Sequence, residues 1–245
     1  MLARKKRWWY NNIMKIFAIS DLHISTNTNK PMDVFGGNWE GYLEKIFADW
    51  NSKVSPDDLV LIGGDISWAM NIDEAREDVN LLAPLNGKKI MIKGNHDYWW
   101  SAIGRVRDML PENFYALQND CVKIGNIIVC GSRCWSVPGS PDFDERDNKI
   151  YLREAERLKL SFNAVNKIKE ENDKVIALIH YPPFNVKRET SLFTELFKEN
   201  KVDAVVYGHL HGKSVRSDKL VVKDGVKYYL TSCDQVDNKL QEIQL

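Results

Sequence analysis

The sequence carries no net charge: 34 basic side chains stand against 34 acidic ones. That balance gives no global basic field, which argues against a protein that holds nucleic acid mainly by non-specific attraction. Only a local basic patch remains open to it. Cysteine is scarce. Cys121, Cys130, Cys134 and Cys233 include no Cys-x-x-Cys pair, and four in so long a chain exclude a disulfide scaffold. Reduced thiols point to a cytoplasmic protein. Cys130 and Cys134 have the spacing of half a zinc site, but no second half follows. No run approaches the roughly 20 apolar residues of a membrane-spanning helix. Histidine is also rare, with five in the chain, and their positions turn out to matter.

What is present is ordinary for a globular protein, 44% apolar and 28% charged, and the length allows one large core. Arg4-Lys5-Lys6-Arg7-Trp8-Trp9 resembles the charged start of a signal segment, but no apolar stretch follows. Met14-Lys15-Ile16-Phe17 reads as a natural start. Residues 1–13 are therefore expected to be a disordered or mis-assigned leader, and 14–245 a single domain.

Short β-rich apolar runs recur along the chain: 15–20, 59–62, 90–92, 175–179 and 204–207. Helical periodicity lies between them, near 39–50, 72–85, 98–110, 150–171 and 190–200. Asn71 or Asp73 is placed to cap the second of these helices. Weaker strands are expected at 114–117, 121–124 and 127–131, with a turn at Gly125-Asn126, and a hairpin at Asp224-Gly225 joins 220–222 to 226–230. Residues 132–148 read as a long polar loop, a lid candidate bearing Arg133 as a phosphate-binding charge.

One event repeats five times. An apolar strand ends, and metal-capable residues follow: Asp21 and His23, Asp65, Asn95 and His96, His180, then His209 and His211. All five histidines are in this set. A single histidine beside a strand is ordinary; all of them at strand ends, among Asp, Asn and Gly, is not chance. The donors are imidazole, carboxylate and amide oxygen without thiolate, which suits Mn, Fe or Zn. The set is too large for one tetrahedral site, and fits two divalent ions about 3.5–4 Å apart. Extended backbone at the strand ends would let Asp21 and His23 converge on one ion.

These motifs, Asp-x-His, Gly-Asp, Gly-Asn-His-Asp, His and Gly-His-x-His in that order, resemble the calcineurin-like metallophosphoesterase superfamily. The match runs from Asp21 to His211. The resemblance implies an α/β (α+β) fold: a four-layer αββα sandwich of two mixed β-sheets flanked by helices, with a dimetal site at the strand C-terminal ends. It implies that Asp21, His23 and His211 bind one metal ion, that Asn95, His180 and His209 bind the other, and that Asp65 bridges them. His96 would face the substrate. A metal-bridging hydroxide would attack phosphorus, and His96 would act as general acid on the leaving oxygen.

One departure stands out. The protein Ser/Thr phosphatase branch continues Gly-Asp-x-x-Asp-Arg-Gly, whereas this chain reads Gly64-Asp65-Ile66-Ser67-Trp68-Ala69-Met70. Trp68 replaces the acid that orients the catalytic histidine, which counts against a phosphoprotein substrate. Asp97 is a candidate orienting partner for His96, or equally a helix cap. Of Trp68, Tyr98, Trp99, Trp100, Trp135 and Tyr181, core packing is the default, with substrate stacking the alternative for one at the mouth. The expected substrate is a small phosphodiester or nucleotide-type phosphoester. A nuclease of the same superfamily is less favoured, and so is a scaffold that keeps its metals for structure.

Overall fold

Alternation of apolar side chains along the short strands decides the architecture. The computed structural model describes residues 14–26, 30–212, 215 and 217–245, so the expected leader lies outside the described residues. In chain order the strands are β1 (Ile16–Ile19), β2 (Leu59–Ile62), β3 (Lys88–Ile92), β4 (Phe114–Leu117), β5 (Cys121–Ile124), β6 (Ile127–Cys130), β7 (Lys174–Leu178), β8 (Ala204–Tyr207), β9 (Leu220–Lys223), β10 (Val226–Leu230) and β11 (Gln241–Glu242). The helices are α1 (Tyr42–Lys53), α2 (Ile72–Leu82), α3 (Ile103–Met109), α4 (Glu145–Ile168) and α5 (Leu192–Glu199). None is long and apolar enough to cross a membrane.

Among the described residues one sheet runs β11-β1-β2-β3-β4 and the other β5-β6-β7-β8-β10-β9. Parallel pairs make up the centre of each sheet, and antiparallel pairs (β1 with β11, β5 with β6, β9 with β10) lie at its edges. Both sheets are thus mixed. Side chains of even and odd positions go to different layers. Ile16, Ala18, Leu59, Leu61, Ile90, Ile176, Leu178 and Val206 fill the space between the sheets. Phe17, Ile19, Val60 and Ile62 face α1 and α2, with Ile46, Trp50 and Val79 opposite. Val175, Ala177 and Val205 face α4 and α5, against Leu158, Phe162 and Phe197. The result is the expected αββα sandwich.

Two expectations need correction. The third helix starts at Ile103 rather than near Tyr98. Trp99 and Trp100 are buried there as core and hydrogen-bond anchors, their indole N–H groups donating to Asp97 and Gln118, so their spacing reflects packing and not a helix. The long helix starts five residues earlier than its apolar stripe suggests, because Asp144 and Asp147 form a reciprocal cap. This shortens the polar loop. Of the two candidate caps for α2, Asn71 is the one that caps it. The two-residue strand β11 has no apolar alternation and was not foreseen.

Within the second sheet the chain just after β6 lies very close to the end of β7 at Gly131. A methyl group on its Cα would overlap the Leu178 carbonyl oxygen. Gly131→Ala should therefore force β6 from β7 and destabilise the protein by about 1–3 kcal/mol. Urea unfolding that leaves the midpoint unchanged would contradict this packing.

Candidate metal centre

The backbone at the carboxyl ends of the strands is strained where the functional side chains sit. Asp21 (φ 58°), His23 (φ 45°), Asp65 (φ 51°) and His209 (φ 70°) all adopt the left-handed region. Each such residue costs on the order of 1–3 kcal/mol and persists only where neighbours over-determine it. Here they do. Asp21 N–H donates to Gly64 O (3.0 Å) and His23 N–H to Asp65 O (2.9 Å). His209 N–H donates to the Asp21 carboxylate (3.0 Å). Ser20 N–H donates to Thr231 O (2.9 Å) and Cys233 N–H to Ser20 O (3.0 Å), which stitches the two sheets together at this end. Asp21 and His23 thus do converge, but through left-handed turns and not through the extended backbone expected. Glycine is required at two of the approaches. A methyl on Gly94 would overlap the Asp65 carboxylate, and one on Gly208 would overlap Ser20 Oγ.

The side chains gather in two overlapping groups. Asp21, His23 and His211 bring one donor atom each within 4.8 Å of one another, and so do Asp21, Asp65 and His180. Asn95 Oδ1 lies 2.8 Å from His180 Nε2 and 2.9 Å from His209 Nδ1. Asp65 stands between the groups: its Oδ2 is 3.7 Å from His23 Nε2 and 3.5 Å from His180 Nε2. All seven residues expected at the centre are therefore together. Asp21, His23, Asp65 and His180 form a fully buried floor. Asn95, His209 and His211 are half-buried above it.

The donor chemistry fits a cation. Both ring nitrogens of His23 and Asp65 Oδ2 are buried without a hydrogen-bond partner, a cost of about 1–3 kcal/mol each if nothing occupies the space between them. His180 Nδ1–H donates to Gly63 O (2.8 Å), which leaves the Nε2 lone pair facing Asn95 Oδ1 and Asp65. Burial lowers the pKa of His23 and of His209 to about 3, keeping them neutral and able to donate a lone pair. For His180 burial acts in the same direction and is the largest single effect, but Asp65, Asp21 and the Gly63 carbonyl together outweigh it and raise the pKa to about 9. A cation would take the place of that proton.

The sequence model of the family "Calcineurin-like phosphoesterase" matches residues 14–213. The chain belongs to this family. An uncharacterised metallophosphoesterase of Helicobacter pylori is 26% identical over 86% of this chain and 48% of its own length. The chain thus spans about half of that relative. A probable cyclic nucleotide phosphodiesterase of Ruthia magnifica is 25% identical over 79% of this chain and 76% of its own. The solved structure of TT1561 from Thermus thermophilus superposes with a TM-score of 0.61 over 95% of this chain and 99% of that one, at 12% identity. That likeness concerns the fold. Calcineurin-like phosphoesterases are metal-dependent, and the Asp/His groups here are suited to that dependence.

Around this calcineurin-like centre, His96 is half-buried at the opening. Its backbone N–H donates to Asp65 Oδ1 (2.8 Å), and its Nδ1 has no hydrogen-bond partner. Asp97 is neither its orienting partner nor a helix cap. The Asp97 carboxylate is buried and accepts from Gly94 N (2.8 Å), Ile66 N (2.9 Å), Ser67 N (3.2 Å) and Trp99 Nε1 (3.0 Å). It clamps the loop after β2 to the loop after β3. Burial and the charge of Asp65 raise its pKa to about 6, against the pull of those N–H donors. Trp68, in the position of the missing acid, stacks on His23 (centroids 4.7 Å) and packs on His96 (4.6 Å). Its indole nitrogen is turned to Met32 Sδ (3.2 Å).

Arg133 is not on a lid. Its carbonyl accepts from His180 N (3.2 Å) and Tyr181 N (3.1 Å), and its guanidinium lies over the Trp135 ring (4.6 Å). The Gly63 carbonyl and the Asp97 clamp were invisible in the sequence. An Asp directly after a metal-capable His suggests a role at the site without saying which groups it holds.

Asp97→Ala leaves four buried donors unpaired. It should cost at least about 3 kcal/mol of stability and lower metal affinity about 10–100-fold. Unfolding curves and metal titration of the variant check both.

Proposed function

We propose that the chain is a phosphoester hydrolase working with two transition-metal ions, and that it acts on small phosphodiester or nucleotide-type substrates. One observation carries this reading: the unpartnered Asp65 Oδ2 between His23 and His180. Seven imidazole, carboxylate and amide donors gathered around that oxygen are more than one such ion takes, tetrahedral or octahedral. In this reading Asp21, His23 and His211 hold one ion, Asn95, His180 and His209 the other, and Asp65 bridges. Mn, Fe or Zn suits the imidazole, carboxylate and amide donors. Bound there, the ions supply the acidity that makes water a nucleophile near neutral pH and neutralise charge on the phosphoryl oxygens.

The protein's own groups do the rest. Gly63 O fixes the His180 tautomer. Asp21 accepts the His209 N–H and holds the Gly-His-x-His turn against β1. His96, half-buried with an unpartnered Nδ1, gives its proton to the departing oxygen, a role worth about 10²–10⁴-fold in rate. Trp68 holds His96 by packing where a carboxylate would hold it by charge.

A diester is favoured over a phosphoprotein because there is room for a second ester arm. A cavity of about 790 Å³ has His209 in its wall and is lined by Pro182, Phe184, Val186 and Leu210, a size and lining that suit a small organic group. Among the described residues its charged side chains are Asp142, Asp218 and Arg188, which make no positive track for a nucleic-acid backbone. The name of the Ruthia magnifica relative points the same way. The free cysteines support a cytoplasmic setting.

Purified protein, reconstituted where necessary, should carry two transition-metal ions per chain, and Asp65→Asn should lose metal and hydrolysis of an aryl phosphodiester together; elemental analysis that finds no metal after reconstitution would sink the reading. His96→Ala should retain its metal yet turn over about 10²–10⁴-fold more slowly, most severely on substrates with poor leaving groups. Unchanged turnover on an alkyl ester would remove His96 from the chemistry.

A further inference from the structure

A second cavity, of about 310 Å³, opens on the same edge of the sandwich. Its walls come from the ends of β3, β4 and β6 and from α4, and include Lys93, Trp100, Asn119, Arg133, Glu154 and Arg157. Three cations line it against one carboxylate. That carboxylate is already claimed: Glu154 is buried, with Arg157 at 2.6 Å, Arg153 at 3.6 Å and Arg133 at 4.0 Å from its Oε1. Lys93 has no carboxylate within 4.0 Å among the described residues. Its Nζ donates to the Trp100 carbonyl at 3.1 Å.

A concave, part-buried surplus of positive charge is costly unless an anion completes it. Two guanidinium groups and an ammonium converging on one space are the donors that recognise phosphate oxygens. The cavity also adjoins the metal centre. Arg133 Cζ is 6.0 Å from the Tyr181 ring, which lies 4.0 Å from the His209 ring. The guanidinium is therefore within about 10 Å of a residue of the centre. Lys93 precedes Asn95 by two positions.

We propose that this cavity binds a phosphate-class dianion beside the metal centre. The anion is either a second phosphate carried by the substrate, a source that rests on the phosphoesterase reading, or free inorganic phosphate. Arg157 and Lys93 are its principal donors, and Arg133, packed over the Trp135 ring, closes the side towards the centre.

Titration of the metal-loaded protein with inorganic phosphate, followed calorimetrically, tests the site. Two binding events per chain are expected, one at the metals and one in the cavity. In Lys93→Gln, and independently in Arg157→Gln, one of the two should weaken at least about tenfold, the effect of losing one charge-assisted contact. A single event in the native protein, or an unchanged isotherm in both folded variants, overturns the proposal.

A second arm separates the two sources. The para-nitrophenyl ester of thymidine 5′-phosphate is compared with the same ester bearing a 3′-phosphate. A KM about tenfold lower for the bisphosphate, lost in Lys93→Gln, assigns the cavity to substrate. Equal KM values with a two-event isotherm assign it to free phosphate. Hydrolysis of neither ester removes the phosphoesterase reading, while the isotherm still decides the cavity.

Discussion

The rest of the structure is arranged around one carboxylate oxygen. Asp65 Oδ2 is buried and unpartnered, with imidazole nitrogens at 3.7 and 3.5 Å. A carboxylate taken out of water with a hydrogen bond to only one of its oxygens is costly to hold. Everything nearby contributes to holding it. Its other oxygen accepts the His96 N–H. Gly94 is bare so that the carboxylate can lie against its Cα. Asp97 fixes the two loops that carry it. The left-handed backbone at Asp21, His23, Asp65 and His209 is strain concentrated in one place, with a cation as the term that offsets both strain and desolvation.

The sandwich itself was largely legible in the chain, because strand alternation is a local signal. Ile16 and Ala18 against Phe17 and Ile19 already separate an inner face from an outer one, and the structure sends them to different layers. Gly125 and the Asp224-Gly225 pair mark hairpins by local turn chemistry alone. The strand-end positions of the histidines were legible for the same reason. The illegible parts were set by distant partners. Trp99 and Trp100 carry a helical spacing, yet their indole groups are spent on Asp97 and Gln118, and the helix waits until Ile103. Strand β11 exists because β1 offers an open edge to Gln241–Glu242, which no pattern in those two residues announces.

The convergence of Asp21 and His23 shows how a right answer can rest on a wrong geometry. Extended backbone would point both side chains the same way, and they do meet. They meet because two left-handed residues fold the chain after β1 around the carbonyls of Gly64 and Asp65. That route depends on the loop after β2, which depends on Asp97. The three strand ends are therefore one cooperative unit. Asp-x-His, Gly-Asp and Gly-Asn-His-Asp are better understood as three strands of one backbone knot than as three separate ligand motifs.

Trp68 follows from the same logic. A carboxylate at that position would orient His96 by charge, but it would also add a negative group near Asp65, whose charge already bears on Asp97. An indole adds none. Stacked on His23 and tilted against His96, it restricts both rings by shape and excludes water from their buried edges. Its N–H is spent on Met32, so it competes for no lone pair of the centre. The exchange of acid for indole thus leaves the two histidines to be tuned by burial and by whatever occupies the space between them. The surplus of cations at Lys93, Arg133 and Arg157 lies next to Tyr181 and His209, where a negatively charged group would be met without disturbing the floor of the centre.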